Sequence, residues 1–210
     1  MNKSVSIING HVRPLNHYIV RIPKKVDDYI ELSSGVEIQI DTRYDDFSYR
    51  VSYGEILGCP ARFDTGARIG DTLFFHHHVV MREEQYLNDD IYQVFYDEDN
   101  GYDSQAIGYR SAETGEIKML SDWVFTQIED QPSHVENEIG LIMNTSSSKD
   151  PLVKLERMKA TIYCGNKRLP QVSVGDTILF SKDSDYRLVL DNGDVVYRMK
   201  IFDIMSVWEK

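Results

Sequence analysis

The stretch GDTILF at residues 175–180 decides the fold, because GDTLFF stands at residues 70–75. Gly70 and Gly175 are 105 positions apart in a chain of 210 residues. Each stretch reads as a turn running into a strand: glycine tolerates the turn conformation, and the apolar residues after it suit a strand. At the same offset GEILGC (54–59) falls on KATIYC (159–164), with Cys59 over Cys164. Gly35 falls on Gly140, and LNHYIVRI (15–22) falls on LSDWVFTQ (120–127), with Tyr18 over Trp123. Downstream, LNDDIYQVF (87–95) resembles DNGDVVYRM (191–199) at an offset of 104. Four segments in one register point to a duplicated chain.

Both halves are written in short β-branched and aromatic runs punctuated by Gly, Asp, Asn and Pro. HYIVRI, GEILG, DTLFFHHHVVM, IYQVFY, DWVFTQI, ATIYC, DTILF, RLVL and DVVYRM all read as strands. No long window holds a helical period, although KIFDIMSVWEK supports a short final turn. The expected fold class is all-β. DEDNGYDSQAIGYRSAETG reads as a loop that ends the first repeat. The expected layout is an N-terminal extension (1–11), a first domain (12–112), a linker (113–116) and a second domain (117–210).

Composition narrows the function. A net charge of −11 and a pI near 4.9 repel nucleic acid and anionic membranes. No apolar run reaches the roughly 20 residues that span a bilayer, and MNKSVSIINGHV suits neither a signal peptide nor a transit sequence. Cys59 and Cys164 form no CxxC motif, which fits two reduced thiols in a cytoplasmic protein, with a single disulfide between them left open.

The order of motifs resembles the GroES-like co-chaperonins. VRPLNHYIVRI (12–22) resembles that family's first strand, with its Arg-Pro-Leu, and GEILG resembles its Gly-Glu-Val-Leu strand. RIGDTLFF and SVGDTILF resemble its Val-Gly-Asp strand start, and NGDVVYRMKIFDIMSVWE its closing strands. Between the first strand and GEIL the family carries a mobile loop with a Gly-Gly-Ile-Val-Leu core. IGLIMNTSSSKDP (139–151) resembles that loop closely, and SSGVEIQIDTRYDD (33–46) less so. The resemblance covers roughly residues 12–110 and 117–210, and the compact segments PARFDTGAR and GNKRLPQVS look like those of phage-encoded members.

The resemblance implies two tandem GroES-like small β-barrel domains and a homo-oligomer that caps a chaperonin ring and assists folding. It implies no enzyme activity and no cofactor. The chaperonin would be held by Gly140, Leu141, Ile142 and Met143 and, in the first repeat, by Gly35, Val36 and Ile38. Polar NTSSSKDP cannot bury enough apolar surface to order itself alone, so the contact would form on binding. Several weak loops on one ring then act through effective concentration. GVEIQI also alternates like a half-buried strand, and Glu37 stands where the family has an apolar residue, so the second loop is the favoured contact. The alternative reading of GLIM is an ordinary core strand edge. A different class remains open, a structural assembly module, for instance of a phage particle.

Other constellations carry less. His76, His77 and His78 on a strand would place at most His76 and His78 on one face, with no further ligand at metal spacing. YDEDNGYD (96–103) lacks the spacing of an EF-hand loop. No GxSxG, P-loop or GxGxxG occurs, so the nucleotide-binding half of a zinc-type alcohol dehydrogenase is missing.

Overall fold

The two Gly-Asp turns fold alike, atom for atom. In the computed structural model, Gly70 and Gly175 take φ of 92° and 89°, a region that glycine enters without penalty. The aspartate after each closes the turn. Asp71 Oδ2 accepts from the Arg68 amide at 2.7 Å, and Asp176 Oδ2 from the Ser173 amide at 2.8 Å. Both carboxylates are buried, and these amides supply the donors that a buried acceptor requires. The glycine N–H groups tie each turn to an earlier strand, at Ile56 O and Ile162 O. The structure describes residues 14–23, 29–31, 37–39, 50–88, 90–101, 103–128, 134–136, 142–144 and 158–208.

The first repeat holds β1 (His17–Arg21), β2 (Tyr29–Glu31), β3 (Glu37–Gln39), β4 (Tyr53–Gly58), β5 (Thr72–Phe75), β6 (Tyr86–Asn88), β7 (Ile91–Phe95) and β8 (Ala106–Arg110). A connecting strand β9 (Ile117–Met119) follows. The second repeat holds β10 (Trp123–Gln127), β11 (His134–Glu136), β12 (Ile142–Asn144), β13 (Lys159–Cys164), β14 (Thr177–Phe180), β15 (Tyr186–Val189), β16 (Val195–Lys200) and β17 (Ile204–Trp208). The larger sheets run β6-β7-β1-β4-β5-β8-β9 and β15-β16-β10-β13-β14-β17. Apart from β9, these are one antiparallel order written twice. The protein is all-β, with no α-helix among the described residues. No barrel closes among them: the first ladder ends at β6 and β9, the second at β15 and β17.

Pairing registers sharpen the repeat. Val20 faces Ile56 across β1 and β4, and Thr126 faces Ile162 across β10 and β13, so these strands match at an offset of 106. Both ladders carry a bulge at the same place, Ile19/Val20 and Phe125/Thr126. From the Gly-Asp turn onward the offset is 105, with Leu73 matching Ile178. The segment before the turn is therefore one residue shorter in the second repeat. Cys164 thus corresponds to Gly58 rather than Cys59, and Trp123 to His17 rather than Tyr18.

Two expectations for local structure change. The strand in DTLFFHHHVVM stops at Phe75, because the Phe75 and His76 amides bond to Ser52 O and Gln105 O and the chain then turns into a 3-10 segment at Val79–Met81. Residues 113–116 lie in a tight turn, where the Ser111 amide donates to Glu116 O, and β9 pairs with β8. That pairing explains Gly108: a Cβ there would stand 2.8 Å from Lys118 O.

Each repeat has its own core of matching positions. Tyr18, Ile56, Leu73, Phe75 and Val94 in the first correspond to Val124, Ile162, Ile178, Phe180 and Met199 in the second. A third cluster joins the repeats. Phe74, Ile107 and Met119 pack against Trp123, Phe125, Leu188 and Val196, with Phe74 edge-on to Phe125 at 5.7 Å between ring centroids. Burying each such phenyl contributes about 2–3 kcal/mol. Around this seam Arg110 pairs with Asp191 at 3.0 Å, and Arg168 pairs with Asp122 at 2.8 Å.

Candidate functional site

Of the expected partner-binding residues, Ile38, Ile142 and Met143 lie on two equivalent hairpins. β2 pairs with β3, placing Ile30 opposite Ile38 and Glu31 opposite Glu37. β11 pairs with β12, placing Glu136 opposite Ile142 and Val135 opposite Met143. Each hairpin lies between the two strands that correspond across the repeats, β1 and β4 or β10 and β13, and the two match at an offset of 105. Gly35, Val36, Gly140 and Leu141 lie outside the described residues, as does NTSSSKDP beyond Asn144.

A second site, which the sequence reading passed over, sits where the repeats meet. Because β5 stops at Phe75, His76, His77 and His78 occupy a turn and converge instead of alternating. Their ligating nitrogens lie within 4.8 Å of one another. The His76 and His78 rings stack at 4.6 Å, and His77 stacks on Tyr186 of the other repeat at 5.2 Å. Arg198 Nη2 lies 2.9 Å from His76 Nε2, an arrangement in which the guanidinium donates to a neutral imidazole. The guanidinium is also boxed by Trp123 and Tyr186, at 4.9 and 4.6 Å from the ring centroids. Lys200 Nζ stands over the same indole, 3.8 Å from the Trp123 centroid, and donates to Gly101 O at 2.6 Å.

Beside them opens a cleft of about 770 Å³ lined by His17, His76, Arg82, Gln85, Trp123 and Lys200, among others. Its charged lining is mixed, with Arg82 and Lys200 set against Asp103 and Asp203. Burial, and then the Arg198 charge, pushes His76 down to about 2; burial, with Arg50 and Arg82 nearby, lowers His78. Burial brings Arg198 down to about 10 and Lys200 to about 8, the latter against the opposing pull of Asp122. His76 is thus neutral at pH 7, as a metal would require, but the surroundings suit no divalent cation. Ring faces stack rather than radiate from a centre, His76 Nε2 is engaged by Arg198, and three arginines bear on the cluster.

A smaller cavity of about 450 Å³ opens at another part of the seam, between Tyr109, Glu116, Met119 and Cys164. Burial pushes the Cys164 thiol up to about 11, so it stays protonated and a poor nucleophile. Neither cysteine is in a disulfide: Cys59 Sγ donates to Ala67 O, and Cys164 Sγ to Ile117 O. The acidic run is a closed turn, in which Asp97 Oδ1 accepts from the amides of Asp99 and Asn100, and Asp99 pairs with Arg62.

The sequence did hold a signal for the cleft. Three consecutive histidines directly after a four-residue strand, preceded by the shared GDT start, are a turn if the second repeat is consulted, where SKDS follows TILF. Among the described residues no helix is long and apolar enough to cross a membrane. No family model matches the chain, and no curated protein matches it.

Proposed function

We propose that the chain is a non-enzymatic co-chaperonin of GroES-like character, whose duplicated β domain caps a chaperonin and assists folding in the cytoplasm. The observation that carries this reading is the pair of equivalent hairpins, β2-β3 and β11-β12, set between equivalent strands of the two sheets. A lid needs contacts that are repeated, individually weak and attached to a rigid frame, and a duplicated fold supplies each hairpin at a fixed spacing. The apolar residues of the second, Leu141, Ile142 and Met143, are the preferred contact, and Gly35, Val36 and Ile38 are the weaker one.

Self-association belongs to the same reading. The seam is heterologous: the β5-β8 side of the first repeat meets β10, β15 and β16 of the second. Among the described residues, the corresponding side of the second repeat is exposed where the first is buried. Ile107, fully buried in the seam at a bulge, corresponds to Met205, at the same bulge and 64% exposed. Phe202 and Trp208 beside it are exposed too, and at the opposite end Tyr86 and Leu87 are exposed on β6, the counterpart of β15. Such an interface repeats from copy to copy and closes into a ring when the rotation permits.

Mixing the protein with a chaperonin and ATP tests the proposal. Residues 136–152 should become protected from protease, and the chaperonin ATPase should change. Ile142→Asp should abolish both effects with the circular dichroism unaltered, and Glu37→Val should leave them intact. An unprotected segment and an unaffected ATPase would leave the structural assembly module as the better account.

A further inference from the structure

The register that relates β1 to β10 also relates what comes before each of them. β9 leads into β10 and pairs with β8, the edge of the other repeat. At the same offset of 106, β9 corresponds to residues 11–13, His-Val-Arg, which lie outside the described residues directly before Pro14. β8 corresponds to β17, since Ile107 and Met205 stand at the same bulge. The β8 edge is filled by β9, whereas β17 has no strand on its outer side among the described residues. Chain ends of a sheet pair readily with other chains unless charge or irregularity prevents it. Of the four ends in the two larger sheets, β9 carries exposed Lys118 and β15 exposed Arg187, and β6 is three residues long with an irregular register. β17, with the sequence IMSVW, has five residues and neither a charge nor a proline. Met205, Ser206 and Trp208 on it are exposed.

Given the self-association proposed above, on which this contact rests, we propose that residues 11–13 of one copy add as an antiparallel strand to the β17 edge of a second copy. Val12 then stands opposite Val207, as Lys118 stands opposite Tyr109 within the chain. The recipient is another copy because β9 lies on the repeat ahead of its own, and because β17 ends its sheet on the side away from the seam strands β15, β16 and β10. A residue before proline favours the extended conformation that a strand needs, and Arg13 is such a residue. Three differences make the contact between copies weaker than its counterpart within the chain. Leu120 donates its amide to Ile107 O, and the corresponding Pro14 has no N–H. Ile117 and Met119 pack into the seam, where His11 and Arg13 stand instead. Gly108, which admits Lys118 O at close range, gives way to Ser206. Main-chain hydrogen bonds rather than apolar burial hold the added strand, so the copies part and rejoin.

The test is hydrogen exchange read by mass spectrometry on the full chain without chaperonin, beside sedimentation velocity. Both are run at about 0.5 µM and about 50 µM, a span over which mass action shifts a reversible contact. Exchange at residues 204–208 slows about tenfold or more at the higher concentration, as edge amides gain partners, while exchange in β9 is unchanged. Val12→Pro removes the donor N–H at a position outside the described fold. It abolishes both the slowing and the association and keeps the unfolding midpoint of the parent. Ser206→Lys, an exposed change that gives β17 the kind of charge β9 carries, does the same from the recipient side. Copies that associate with no change at 204–208, or a Val12→Pro protein that associates as tightly as the parent, overturn the strand contact and leave self-association through the faces intact. A chain that stays monomeric at the higher concentration overturns both. Protection of residues 136–152 by a chaperonin is a separate measurement, so neither result decides the capping proposal.

Discussion

Acid should pull the two repeats apart at His76, and the size of the effect follows from its surroundings. His76 lies with Arg198 on one nitrogen, with His77 and His78 stacked beside it and Arg82 within electrostatic reach. Burial and the Arg198 charge hold it at about 2, well below the ordinary 6.5. A group depressed on folding takes up its proton in the unfolded chain first. Its stabilisation is present above pH 6.5 and is lost as pH falls from there toward 2. Each unit is worth about 1.4 kcal/mol, so at pH 4.5 this one residue removes about 3 kcal/mol relative to pH 7. His76→Gln keeps an acceptor for Arg198 and cannot titrate. Urea unfolding followed by tryptophan fluorescence, at pH 7 and pH 4.5, should show the parent losing about 3 kcal/mol more than the variant. The carboxylates titrate in both proteins and cancel in the comparison. Parallel pH curves would refute the argument and would mean that His76 does not sit neutral against Arg198.

Three further outcomes are expected. Phe74→Ala, which empties the seam beside Phe125, should cost about 3–5 kcal/mol in chemical denaturation and should destabilise both repeats together. Asp71→Ala should cost about 1–3 kcal/mol and more than Asp176→Ala, because Asp71 also accepts from the Ala112 amide at 2.9 Å; equal losses would show that the extra bond contributes nothing. Met205→Asp should leave the unfolding midpoint of the isolated chain within about 0.5 kcal/mol of the parent, as an exposed substitution does. In sedimentation velocity the same change should abolish self-association, and an unaltered distribution would remove Met205 from any contact between copies.

Strand content, the two-fold repeat and both Gly-Asp turns were legible in the sequence because they depend on local chemistry. Glycine at positive φ followed by aspartate is a short-range signal, and alternating apolar runs name strands without reference to the rest of the chain. The one-residue slip was not legible. Shared cysteines made the offset of 105 attractive at GEILGC, yet register is set by which residues face each other across a ladder, and only the pairing of Val20 with Ile56 and Thr126 with Ile162 reveals 106. The cleft was hidden for a similar reason. Reading HHH as strand put neighbouring rings on opposite faces, and the partners that make the cluster polar and cationic, Arg198 and Lys200, lie more than a hundred residues away. Nor did composition foretell β9: IKM looks like the opening of a second domain, and it serves as the edge of the first sheet.

Because β9 is hydrogen-bonded into the first sheet and runs directly into β10, the chain delivers its second repeat to the first already aimed. The seam therefore forms as an intramolecular event, at an effective concentration in the millimolar range or above for so short a tether. Contacts too weak to hold two free repeats together at cellular concentrations are sufficient here. Cutting the tight turn at Gly115 would turn the same surfaces into an ordinary bimolecular equilibrium governed by dilution. The exposed counterpart around Met205 has no such tether, so the self-association proposed for it would stand in that bimolecular regime from the start. Under the proposed self-association, one surface design would serve two concentration regimes in a single molecule, permanent on one side and reversible on the other.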